Sequence, residues 1–177
     1  RRRGYYPRGG GLVEVMVQPR VLRGLRLETA GPVRQIHGIA HVSNLPAHIA
    51  ARMQQTAARL LADIAPAEIE EQILGKEQAI GQGGAIVLWA HTDHALLGSS
   101  EVAQRGVPAE RIAGTAAQAL REDIICGATL DLHASDQVLI YCALAQGPST
   151  FLARTLSSHA QTTLWLLQKF LPSRASV

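Results

Sequence analysis

Polar and apolar positions alternate from Leu12 to Val17, with Val13, Val15 and Val17 on one side and Glu14 on the other, which predicts a half-buried strand stopped by Pro19. Val33 to Val42 reads as a second strand. Asn44-Leu45-Pro46 then announces a helix, because proline is tolerated in a helix's first turn. That helix runs to about Asp63, with Ile49, Met53, Ala57, Leu60 and Leu61 on one face at the 3.6-residue period. Glu68 to Leu74 fits helix or strand equally well.

After the punctuation of Gly81 to Gly84, Ala85 to Ala90 reads as a short buried strand. Pro108 opens an amphipathic helix carrying Ile112, Ala116, Leu120 and Ile124 and closing near Gly127. Ser135-Asp136 is expected to cap a third helix, QVLIYCALAQ, that ends at Gly147. Thr150 to Thr155 is a strand candidate. Ser157-Ser158 caps a fourth helix, with Ala160, Leu164, Leu167 and Leu171 on one face and Pro172 ending it. Strands and helices mix without regular βαβ alternation, so the fold class is α+β.

Composition narrows the function only a little. With 177 residues, 47% apolar and 18% charged, the chain is ordinary for a globular protein. It holds no apolar run of the roughly 18 residues that a membrane span needs and no signal-peptide pattern, so a cytoplasmic protein with no membrane partner is expected. Cys126 and Cys142 lie in apolar stretches without metal-site spacing and read as buried free thiols. Charge is uneven. Residues 1–26 hold seven arginines against Glu14 alone, leaving ten Lys and Arg against thirteen Asp and Glu, or −3, for the rest. Such a basic segment can attract a nucleic-acid backbone, although a solvated face explains it as well.

The histidines invite metal chemistry first. His37 and His41 share a strand face at about 13 Å, too far apart for one ion. His91-Thr92-Asp93-His94 lacks the glutamate of a metalloprotease pair, and a solvated loop is the favoured reading for it. His133, Asp136 and His159 could compose a hydrolytic triad only with a serine in a GxSxG-like elbow, which is absent. Both HASDQ and SSHAQTT place polar groups at expected helix starts, where unpaired N–H groups favour anions. An imidazole there could attack a phosphate that meets those donors. The run Gly9-Gly10-Gly11 tempts toward a phosphate loop. It lacks the Lys-Ser/Thr of a P-loop and precedes a strand rather than a helix, so these glycines are read as a backbone device.

Arg3-Gly4-Tyr5-Tyr6-Pro7-Arg8-Gly9-Gly10-Gly11, followed by Leu12-Val13, resembles the signature of the RNA 3′-terminal phosphate cyclase family. The similarity continues in order through Leu45-Pro46 and Arg52, Gly81 to Gly84, Arg105-Gly106, His133 to Gln137, and His159 with Thr162. The resemblance implies a large α+β domain of repeated sheet-and-helix units, partial here in residues 1–31 and 129–177, with a smaller α/β domain inserted at 32–128. It implies ATP-dependent conversion of an RNA 3′-phosphate to a 2′,3′-cyclic phosphate, with a divalent cation, Mg or Mn. His159 would be the nucleophile that takes AMP before the RNA end does. His133, Ala134, Ser135, Asp136 and Gln137 would contact the nucleotide, although Ala134 and Ser135 depart from the commoner Leu and Ala. Tyr5, Tyr6 and Arg8 would line the RNA side.

In that family the signature stands near the middle of the chain, which implies an N-terminal half as a partner. Alternatives are a cyclase-like, non-catalytic protein of ribosomal RNA processing, or an inactive fragment.

Overall fold

The computed structural model describes residues 2–171 and 175–176. The chain forms two compact units: residues 1–17, 33–91 and 98–121 in the first, and 18–32, 92–97 and 122–177 in the second.

The first unit is built on a four-stranded sheet. Its strands are β2 (Val33–Ser43), β3 (Ala67–Leu74), β4 (Gly83–Thr92) and β5 (Leu96–Val102), in the order β3-β2-β4-β5. The segment left ambiguous, Glu68 to Leu74, is strand β3. It pairs parallel with β2 from Ile36↔Ala67 to Ser43↔Leu74, and this register seats Ile69 in the core. Parallel pairing needs a crossover, and α1 (His48–Leu61) supplies it. On β2, Ile36, Ala40 and Val42 are buried on one face; Ile86, Leu88 and Ala90 of β4 follow the same alternation. Met53, Ala57 and Leu61 of α1 and Ala113, Ala116 and Leu120 of α2 (Ala109–Ile125) complete this core. Gly38 is required among them, because a Cβ there would stand 2.7 Å from Leu88 Cδ2. The Ser99 hydroxyl, also buried, donates to the Ala116 carbonyl at 2.8 Å.

The second unit has little sheet. β1 (Arg26–Leu27) pairs parallel with β6 (Thr150–Phe151). Thr129, fully buried, donates its hydroxyl to the Leu27 carbonyl at 2.9 Å and accepts from the Leu152 amide at 2.8 Å. Helices α3 (Leu132–Leu144) and α4 (Ser158–Phe170) pack on each other. Ile140, Tyr141 and Leu144 of α3 and Trp165 and Phe170 of α4 remain exposed.

Several expectations need correction. Leu12 to Val17 is not a strand: apart from a bridge between Leu12 and Arg2 it has no ladder among the described residues, and Val13 is 81% exposed. Alternation predicts a strand only where a partner and a core face exist. Strand β5 escaped notice because LLGSSEV is interrupted by glycine and two serines. The strand expected over Thr150 to Thr155 shrinks to two residues. Cys126 is exposed and Cys142 half-buried, so neither thiol is a core residue, though both are free. Pro172, expected to end α4, lies outside the described residues.

Candidate active site

The start of α4 follows the sequence closely. Ser157 is extended (φ −66°, ψ 162°), and its hydroxyl oxygen accepts from the Ala160 amide at 2.9 Å, the standard N-cap geometry. The same hydroxyl donates to Asp136 Oδ1 at 2.7 Å. Gln161 N–H is taken by the Ser157 carbonyl at 3.0 Å. Among the described residues no acceptor meets the amides of Ser158 and His159. The first turn of α4 therefore keeps two donors for an anion, and the exposed His159 side chain projects from that turn.

The start of α3 differs from expectation. The helix begins three residues before Ser135, and its N-cap is Asp131. Asp131 Oδ1 accepts from the His133 and Ala134 amides at 3.0 and 2.8 Å, and its carbonyl accepts from Ser135 N–H at 2.9 Å. The Leu132 amide faces the carboxylate of Asp123 and favours its charged form. The Asp131 carboxylate therefore fills the second and third amides of the helix, and Ser135 N–H makes the first bond of the helical ladder, so the cap lies four residues ahead of the one the sequence suggested. Ser135 is buried within the first turn and turns its hydroxyl back to the Leu132 carbonyl at 2.8 Å.

Of the five candidate nucleotide residues, His133 and Gln137 are exposed and one helical turn apart, while Ala134 and Asp136 are half-buried. Asp136 is the member that reaches α4. Sequence reasoning missed Asp131 and Asp123. Asp131 had a readable signal, an aspartate directly before a helical run, but Ser135-Asp136 offered the same signal four residues later.

The signature at the chain start is a tight hairpin of the first unit. Arg2 bridges Leu12 and Tyr5 bridges Gly9, both antiparallel. Gly9 and Gly10 take φ of 60° and 73°, and a Cβ on Gly4 would stand 2.6 Å from the Gly11 nitrogen. The glycines thus act on the backbone. Tyr5 belongs to the fold and is not free to line an RNA path: its hydroxyl meets His41 Nδ1 at 2.7 Å, and its ring lies where a Cβ on Gly83 would come within 2.1 Å. Arg3 donates to Gln72 Oε1 at 3.1 Å. Burial first, then the Arg3 charge, holds His41 down at about 4. Tyr6, 96% exposed, and Arg8 occupy the hairpin tip.

The remaining motif residues are placed as follows. Arg52 of α1 makes a bidentate pair with Glu110 of α2, at 2.5 and 2.6 Å. Gly106 turns the chain before α2 with φ 83°. His37 stacks on Trp89 at 5.8 Å between ring centres and meets His91 edge-on at 5.5 Å. Among the described residues no three His, Cys, Asp or Glu side chains are grouped to hold a metal ion, and no helix is long and apolar enough to cross a membrane.

These elements define an α+β chain with an exposed histidine at a capped, anion-ready helix start. The family model for the insert domain of RNA 3′-terminal phosphate cyclase matches residues 28–125. Curated proteins of that name are similar over almost all of this chain: 53% identity over 176 residues in Nitrosospira multiformis, covering 99% of this chain and 50% of that protein. The relatives in Hyperthermus butylicus and Pyrobaculum neutrophilum are each 36% identical, over 97% of this chain and 50% of their own length. The chain belongs to the RNA 3′-terminal phosphate cyclase family. It spans about half the length of the curated relatives it matches.

Proposed function

We propose that this chain carries the nucleotidyl-transfer residues of an ATP-dependent RNA 3′-phosphate cyclase. The observation that supports this most directly is the Ser157–Asp136 hydrogen bond, which draws the first turn of α4, with His159, against the segment His133 to Gln137. A ring nitrogen of His159 attacks the α-phosphorus of ATP; the N–P bond forms as the bond to pyrophosphate breaks. The Ser158 and His159 amides receive the charge that gathers on the phosphoryl oxygens. An oxygen of the RNA 3′-phosphate then takes the AMP from His159. The neighbouring 2′-hydroxyl closes on the terminal phosphorus, expels AMP and leaves the 2′,3′-cyclic phosphate.

His133 and Gln137 contact the nucleotide from the exposed side of α3, beside Ala134 and Ser135, and Asp136 holds α4. The divalent cation, Mg or Mn, belongs to the ATP phosphates in this reading, and no step is drawn through it. Residues 32–128 are assigned to the inserted domain, and 1–31 and 129–177 to the large one. The partner is an RNA 3′ end together with the remaining half of the protein, and the compartment is the cytoplasm.

The test is incubation of full-length protein with α-labelled ATP and Mg or Mn. A labelled protein adduct lost in His159→Ala supports the reading. Full-length protein with intact His159 that never takes label overturns it and favours a non-catalytic RNA-binding member of the family.

A further inference from the structure

One buried acidic side chain joins the two segments that this chemistry would use, and it lies outside every motif of the family resemblance. Asp123, near the end of α2, is 2% exposed. The amide of Leu132, the first residue of α3, faces its carboxylate and favours the charged form. Its Oδ1 also stands 3.0 Å from Nε of Arg154, whose guanidinium pairs on its other side with Glu122. Arg154 belongs to the short link between β6 and α4 and precedes the cap residue Ser157 by three positions. One carboxylate therefore faces the head of α3 and grips the approach to α4 through an arginine.

Burying a carboxylate is costly unless it is paired, and a polar or apolar residue would close α2 at less expense. Among the described residues, Arg154, Asp131 and His133 act on the charge of Asp123, and Arg154 is shared with Glu122. Asp123 Oδ1 and Arg154 Nε lack hydrogen-bond alignment despite their approach, so the contact is one of charge. Burial first, then the Asp131 charge, pushes the Asp123 carboxyl up to about 6, while the Leu132 amide and His133 pull it down. Asp123 thus complements Asp136. Asp136 ties the second turn of α3 to the cap of α4, and Asp123, which faces the first turn of α3, grips the lead into α4.

We propose that Asp123, gripped by Arg154, is a positioning residue for nucleotidyl transfer: it sets His133 to Gln137 and His159 in register without touching substrate. The proposal rests on the nucleotide reading above. Its test uses full-length protein bearing Asp123→Asn, Arg154→Met or Arg154→Lys, with two readouts, ligand-free amide exchange and the ATP dependence of His159 labelling. Asp123→Asn is expected to speed exchange at Leu132, His133 and Ala134 about tenfold, leave α1 unchanged, and raise the KM for ATP about tenfold with a much smaller change in kcat. Arg154→Lys should recover most of what Arg154→Met loses.

Normal labelling with unchanged exchange at the head of α3 overturns the positioning role alone. Faster exchange throughout, α1 included, overturns it too, since Asp123 would then serve only general stability. Wild-type protein that takes no label overturns the nucleotide reading and, with it, the use assigned to this clamp.

Discussion

The Ser157 hydroxyl donates to Asp136 at 2.7 Å while accepting from the Ala160 amide at 2.9 Å, so one side chain both caps α4 and fastens it to α3. Replacing Ser157 by alanine removes both bonds. The expected cost is about 2–4 kcal/mol, the cap loss plus a hydrogen bond to a charged partner. Urea denaturation measures the total, and faster exchange of the Ala160 amide, with α1 amides unchanged, locates it at the start of α4. An unaltered Ala160 amide would contradict the assigned cap.

His41 makes the first unit sensitive to acid. Its value is held at about 4 in the fold against 6.5 ordinarily, so between those values the unfolded chain binds more protons than the native one. Stability contributed by the neutral ring is complete above pH 6.5 and is lost as pH falls toward 4, by roughly 2–3 kcal/mol. Urea midpoints at pH 7 and pH 4.5, compared with those of His41→Gln, should show this slope in the wild type and its absence in the variant.

Asp123 works with the opposite sign. Its carboxyl is raised to about 6 from an ordinary 3.8, so the native chain holds the extra proton between those values. Its contribution is most favourable at low pH and declines as pH rises from about 4 to about 6. In Asp123→Asn that decline should vanish. Urea midpoints over this range would therefore fall more steeply with acid in Asp123→Asn than in the wild type, because the His41 loss is no longer offset.

Gly83 is the floor beneath Tyr5. A Cβ there would lie 2.1 Å from Tyr5 Cδ1, so Gly83→Ala must displace the ring and break its bond to His41. Overpacking of this kind costs about 1–3 kcal/mol. NMR titration gives the specific sign: with Tyr5 displaced, the His41 midpoint should climb from about 4 toward 6.5. A His41 midpoint that stays at about 4 would show that the ring keeps its place.

The helices were the most legible part of the chain. Apolar residues at a 3.6-residue period, with Pro108 and Ser157 as start signals, marked α1, α2 and α4 to within a few residues, because a helix satisfies its backbone within one segment. Strands were less so. VEVMV has the right alternation and remains exposed, whereas the polar LLGSSEV became β5, since a strand is completed by its neighbours. At the candidate site, His159 and the motif from His133 to Gln137 could be read from order and resemblance. The partners that hold them could not. Asp136 and Ser157 are 21 residues apart, and no local pattern announces that their side chains meet.

The sequence by itself determined the α+β class, the capped start of α4 that presents His159, and the glycines whose backbone freedom the first hairpin needs. These are local properties, encoded in propensity, period and the presence or absence of a Cβ. Only the tertiary structure decided that the His133 and Ala134 amides are taken by Asp131, that Tyr5 is consumed by His41, and that no acceptor among the described residues meets the Ser158 and His159 amides. Burial and electrostatics act between residues distant in the chain, so whether a donor is free for a ligand is settled only when every competing acceptor has been placed.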